Sequence, residues 1–196
     1  MEREYQPLPL RELGEAAGLR RPAQGSAPRV LRDSPALLVM TDLTRVAPAT
    51  IGSQAPLAGA NQFMIQRGVR LLLVVDDEES VLGLITATDL LSERPMRVAG
   101  ERGLRRDELT VADVMTPAAS VEAIAFGDVE GARVGHVLET LRRSGRQHAL
   151  VVEREGTRAM VRGIFSISQI ARQLGVAVPI GAEVALTFSE IESAIR

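Results

Sequence analysis

Two short runs in the 196-residue chain place polar groups at the same spacing. One is Gly83, Thr86 and Asp89; the other is Gly163, Ser166 and Gln169. Each reads glycine, two apolar residues, a hydroxyl, two further residues, and then an acid or an amide. A hydroxyl at a helix start can offer itself and the nearby backbone N–H groups to a phosphate. A carboxylate three residues later can accept from two hydroxyls at once. An amide has only one acceptor atom, so the second run suits that task less well. The spacing is also that of a helix capping box, which an acid and an amide serve equally. From the pattern alone both readings stay open.

The elements that must carry these runs repeat along the chain. Gly68-Val69-Arg70-Leu71-Leu72-Leu73-Val74-Val75 precedes the first run, and Gly145-Arg146-Gln147-His148-Ala149-Leu150-Val151-Val152 precedes the second. An internal repeat of this length means two copies of one structural unit. In the first copy Ala36 to Met40 reads as a short apolar strand and Thr50-Ile51 as a second extended piece. Pro56 starts a helix with Leu57, Ala60, Asn61 and Met64 on its buried face, and Gly68 stops it. Leu71 to Val75 is a buried strand, Asp76 to Ser80 an acidic hairpin turn and Val81 to Ile85 the return strand. Thr86 opens a second helix. In the second copy Val134, Val137, Leu138 and Leu141 repeat the helical face, Gly145 the stop and Leu150 to Val152 the buried strand. The expected fold is therefore α/β (α+β), two βαββα repeats related by a pseudo-two-fold axis and sharing one core.

Around the repeats, residues 1–36 read as a Pro- and Gly-rich arm, with one short helical turn from Arg11 to Ala17. The first repeat is assigned to residues 37–92 and the second to 109–175. Residues 93–108 form a charged, partly helical linker, in which Arg102, Arg105 and Arg106 read as a solvated face. The tail 176–196 carries a short helix with Phe188, Ile191 and Ile195 on one side. Four helix starts share a capping box with a hydrophobic staple: Thr86…Asp89, Thr110…Asp113, Ser166…Gln169 and Thr187…Glu190. His136 reads as a helix-surface residue.

Composition narrows the function. The chain has no cysteine, which removes disulfides, thiol nucleophiles and thiolate metal sites. There are two histidines, no P-loop and no Ser-His-Asp series, so an enzyme is not expected and no metal site is. All 23 basic residues are Arg and the net charge is −2, with no basic block beside aromatics, which argues against nucleic acid. Apolar runs are far shorter than the roughly 20 residues of a membrane span. The first residues have acids and no apolar stretch, so no signal peptide is read and a cytoplasmic location is expected.

The repeated order, with Ala47-Pro48-Ala49-Thr50-Ile51 and Asp113-Val114-Met115-Thr116 at the repeat starts, resembles a tandem pair of CBS domains, a Bateman module of the stand-alone bacterial type. Arg70 to Asp76, Gly83 to Leu91 and Gly163 to Ile170 carry the rest of the resemblance. It implies two clefts where the copies meet, able to take an adenosine nucleotide or adenosyl ligand such as AMP, ADP, ATP or S-adenosylmethionine, with no resident cofactor. It implies a ligand site on Gly83, Thr86 and Asp89, where Asp89 would hold the ribose hydroxyls. Arg70, Arg146 and His148 would neutralise phosphate, with Thr50 and Ile51 alongside. Gly163, Ser166 and Gln169 form a weaker second site, because the carboxylate is gone. His148 can equally be a structural strand residue. The expected function is a regulatory homodimer that signals to a separate, unidentified protein. Its dimer contact is expected from helices Pro56 to Arg67 with Gly131 to Ser144, or Thr86 to Leu91 with Ser166 to Leu174. The alternative is a structural or dimerisation protein with decayed clefts.

Overall fold

The computed structural model describes residues 30–176 and Ile191. The helical turn at Arg11 to Ala17, the Thr187…Glu190 capping box and the tail helix lie outside the described residues, apart from Ile191.

The first repeat contains β1 (Thr41–Asp42), β2 (Thr50–Gly52), α1 (Leu57–Arg67), β3 (Leu71–Val75), β4 (Val81–Thr86) and α2 (Ala87–Leu91). The connection holds α3 (Arg94–Arg102). The second repeat contains α4 (Val111–Val114), β5 (Thr116–Pro117), β6 (Ala123–Ala125), α5 (Phe126–Glu130), α6 (Val134–Ser144), β7 (His148–Glu155), β8 (Arg158–Ser166) and α7 (Ile167–Gln173). Helices α1 and α6 end alike. Gly68 and Gly145 both adopt left-handed backbone, φ 63° and 64°, and the next N–H reaches back to Met64 or Leu141. Glycine takes that conformation without a Cβ penalty, so both helices stop where the repeat predicts.

Two four-stranded sheets form, in the orders β2-β3-β4-β5 and β1-β8-β7-β6. Each sheet borrows its edge strand from the other repeat. β5 pairs antiparallel with β4 through Gly83↔Pro117 and Leu84↔Thr116, and β1 pairs with β8 through Thr41↔Ile164 and Asp42↔Gly163. The exchange explains the two motif glycines. A Cβ on Gly83 would collide with the Thr116 backbone carbonyl, and one on Gly163 would lie 2.5 Å from the Met40 sulfur. Both glycines therefore let a foreign segment approach.

Strand β3 is buried on both faces, and its alternation divides it between two cores. Leu72 and Val74 pack with Leu57, Ala60 and Met64 of α1, while Leu71 and Leu73 meet Leu150 of β7 between the sheets. In β7, Leu150 joins that inter-sheet cluster and Val151 joins the helices of the second repeat. The repeats thus share a core, each covering the other's apolar sheet face.

Two expectations are corrected. Ala36 to Met40 is not a strand: Ala36–Val39 is a turn of 3-10 helix. Ala36 and Val39 are fully buried while Leu37 and Leu38 are exposed, a spacing of three that a strand of period two cannot produce. Asn61 is exposed, because the buried stripe of α1 narrows to Leu57, Ala60 and Met64.

Candidate functional site

The two motifs are used differently. In the first, Thr86 caps α2 and the capping box is complete. The Asp89 Oδ2 accepts from the Thr86 N–H at 2.9 Å and from its hydroxyl at 2.6 Å, while the Asp89 N–H donates to Thr86 Oγ1 at 3.2 Å. The other carboxylate oxygen lies 3.4 Å from the Arg94 guanidinium. Asp89 is therefore satisfied on both oxygens. The box at Thr110 and Asp113 forms as well, with Asp113 accepting from the Thr110 N–H at 2.8 Å.

The second motif departs from the sequence expectation. Ser166 stands at the N-cap of α7 but makes no side-chain capping bond. Gln169 instead accepts at Oε1 from the Thr41 hydroxyl, 3.0 Å away on the exchanged strand β1. An amide has one acceptor atom, and here that atom serves the neighbouring repeat. The capping box expected at Ser166…Gln169 is not made. A cap does form where none was expected: the Arg133 N–H donates to His136 Nδ1 at 2.9 Å, so an exposed histidine does the work of the usual acid.

Beside Ser166 lies a cleft of about 480 Å³ built from both repeats. The first repeat contributes Thr41, the segment from Val46 to Ala49, and residues from Gln66 to Leu71; the second contributes His148, Ile164, Ser166, Ser168, Gln169 and Arg172. Its apolar lining includes Leu43, Val46, Ala47, Val69 and Ile164. The opposite character comes from Arg67, Arg70 and Arg172 with the two serine hydroxyls. A concave site with an apolar lining and a few convergent polar groups is the form of a small-molecule pocket. Burial holds the His148 imidazole down to about 4, helped by Arg70 and opposed by Asp89. The ring is uncharged at neutral pH and adds hydrogen-bonding capacity without charge.

Of the residues singled out from sequence, Arg70, His148, Ser166 and Gln169 meet in this cleft. Gly83, Thr86 and Asp89 do not line it, nor do Thr50 and Ile51, which sit in β2 opposite Leu73 and Val74. Gly163 serves the strand crossing. Arg146 lies 3.5 Å from Glu122. Sequence reasoning passed over Thr41, Arg67, Ser168 and Arg172. Arg172 had a usable signal, since it follows Gln169 by three positions and so shares its helix face. Thr41 had none, because its strand is two residues long.

The exchanged strand is pinned from its other end. Asp42 pairs with Arg162 of β8 and accepts from the Thr44 hydroxyl at 2.6 Å, bonds that lower its carboxyl to about 2. Arg162 also lies 3.3 Å from Glu153 and stacks 4.9 Å from the Phe126 ring centre. This network fixes β1, and with it Thr41, at the cleft edge.

Among the described residues no helix is long and apolar enough to cross a membrane, and no group of three or more His, Asp or Glu side chains could hold a metal ion. Residues 39–95 match the family model of the CBS domain. In fold the chain is similar to an uncharacterized conserved protein from Pyrococcus horikoshii, with 21% identity, 76% of this chain and 98% of that one covered, and a TM-score of 0.53. It is similar to the CBS domain of a bacterial CNNM/CorC family Mg2+ transporter in complex with an inhibitor, with 20% identity, coverage of 76% and 81%, and a TM-score of 0.51. It is also similar to CBSX2, an Arabidopsis thaliana CBS-pair protein, in complex with AMP, with 17% identity, coverage of 71% and 94%, and a TM-score of 0.50. No curated protein matches the chain. A CBS domain is thus matched over the first repeat, a second repeat of the same build exchanges strands with it, and the fold of the two together is that of a CBS-domain pair.

Proposed function

We propose that the chain is a non-enzymatic regulatory module that binds an adenosine nucleotide in the cleft between its repeats and passes that state to a separate protein. The observation that carries the reading is the convergence of Arg70, His148, Ser166 and Arg172 from two repeats around one cavity with an apolar lining. The apolar lining suits a purine face, and the arginines and serines suit phosphate oxygens. Because both repeats line the cavity, a ligand there would bear on how they sit against each other, which is the lever a sensory module needs. The AMP complex of CBSX2 supports the ligand class. The weight shifts from the first motif to the second. A ligand at Thr86 and Asp89 would have to displace Arg94 and the Thr86 hydroxyl from a satisfied carboxylate.

We also place the protein as a homodimer in the cytoplasm. Ile65 on α1 and Leu91 on α2 are 71% and 74% exposed, on two of the helices expected to meet a second copy. Light scattering that returns a monomer at micromolar concentration would remove the dimer.

Thermal shift with AMP, ATP and S-adenosylmethionine tests the ligand reading. A ligand at about 100 times its Kd should stabilise the fold by roughly 2.7 kcal/mol. No shift with any of them at millimolar concentration would leave a structural module in its place. The variant Asp89→Asn separates the two positions. Unchanged binding assigns the ligand to the cleft at Ser166, and lost binding assigns it to Thr86 and Asp89.

A further inference from the structure

We propose that this cleft selects its ligand by the number of phosphates and is indifferent to the ribose hydroxyls, so that it takes a nucleoside triphosphate over both a monophosphate and a cationic adenosyl compound. The inference rests on the nucleotide reading above and adds the specificity.

The first observation is charge. Arg67, Arg70 and Arg172 all line the cleft, and among the described residues no Asp or Glu does. The chain as a whole has a net charge of −2, so the cleft is opposite in sign to the molecule around it. Among the described residues no hydrogen bond or ion pair takes up the guanidinium of Arg70 or of Arg172. Arg67 rests over the Phe63 ring at 5.8 Å, a contact made through the guanidinium face. A cationic sulfonium would enter against this field, whereas each added phosphate enters with it.

The second observation is the lack of a carboxylate for a diol among the described lining residues. Two ribose hydroxyls are held best by a carboxylate that accepts from both. Gln169 occupies that place, and its one acceptor atom already receives the Thr41 hydroxyl at 3.0 Å. Gln169 also offers its amide N–H2, beside the Ser166 and Ser168 hydroxyls and the arginines. These groups match phosphate oxygens, and no carboxylate stands among the described lining residues to accept from both hydroxyls of a cis-diol.

Calorimetry on the full chain at low salt decides it, using AMP, ATP, 2′-deoxy-ATP, S-adenosylmethionine and inorganic tripolyphosphate. Two extra charges near these arginines, each worth about fivefold, should make ATP bind about 25-fold more tightly than AMP. The deoxy analogue should match ATP within about twofold, since the loss of an unmade hydrogen bond costs nothing. S-adenosylmethionine should bind most weakly. Arg172→Gln, at an exposed position, should narrow the gap between ATP and AMP, and Arg70→Gln should do the same. Equal affinity for AMP and ATP, a tenfold or greater loss with the deoxy analogue, or both variants keeping the full gap would overturn the inference and leave the nucleotide reading standing. Failure of AMP and ATP alike to bind overturns that reading and the inference with it. Tripolyphosphate binding as tightly as ATP would overturn the nucleoside part of both.

Discussion

The Thr41 hydroxyl donates to Gln169 Oε1 at 3.0 Å, across 128 positions of sequence, and so ties the first strand of one repeat to the last helix of the other. At the matching place in the first copy, Asp89 turns back on its own Thr86. One changed residue thus turns a local cap into an inter-repeat contact and leaves Ser166 uncapped at the cleft. Gln169→Asp should reverse this. A restored box at Ser166 should add about 1 kcal/mol of stability, read by urea unfolding. It should also introduce discrimination between ATP and its 2′-deoxy analogue, because a carboxylate then stands beside the ligand.

The two motif glycines predict an asymmetry. Gly83→Ala drives a methyl into the Thr116 backbone carbonyl, which cannot move without shifting β5. Gly163→Ala meets the Met40 side chain, which has three rotatable bonds and can move aside. The first should cost about 3 kcal/mol and the second about 1 kcal/mol, the two ends of the usual overpacking range. Equal costs in urea unfolding would mean that the exchanged strands, rather than the groups they present, set the requirement for glycine.

Much of this was legible in the sequence, and the boundary is physical. Helices α1 and α6, their glycine stops and the two hairpins each span enough residues to show a period or a turn signal. The exchanged strands do not, because β1 and β5 are two residues long and two residues have no period. The segment from Ala36 to Val39 is apolar in composition, and only burial at a spacing of three identifies it as helical. Gly83 and Thr86 were legible as a pair, but their partners were not: the Thr116 carbonyl comes from the exchanged strand β5, and Arg94 from the start of α3 in the connection. The proposed site lies at the second motif rather than the first for a related reason. A motif shows which residues could bind, while the long-range bond to Thr41 determines which of them are already engaged.

The shared core gives a direct test of the pair. Leu73 and Leu150 belong to one inter-sheet cluster, each nearly fully buried. Leu73→Ala and Leu150→Ala should each cost about 2–5 kcal/mol. Contacting residues couple, so the double variant should depart from the sum of the single costs by about 0.5 kcal/mol or more. Strict additivity would mean that the two sheets do not support each other.

His148 gives the pH dependence its sign. Its unfolded value is 6.5 and burial lowers the folded value to about 4. Between those values the unfolded chain binds the proton more readily than the folded one. Stability from this group is therefore complete above pH 6.5 and is lost as the pH falls towards 4, with a slope of at most about 1.4 kcal/mol per unit. Asp42, lowered to about 2 by the Thr44 hydroxyl and Arg162, and Glu139, lowered to about 2 by Arg142 and Arg143, act in a more acid window, below their ordinary values of 3.8 and 4.5. The variant His148→Gln should flatten urea-unfolding stability between pH 6.5 and 4.5 and leave the decline below that range. Bound triphosphate would make protonation of His148 easier and so offset the weakening that protonation of the terminal phosphate brings over the same interval. ATP affinity should therefore hold up better towards pH 4.5 in the wild type than in His148→Gln, and equal profiles would mean that the imidazole does not face the ligand.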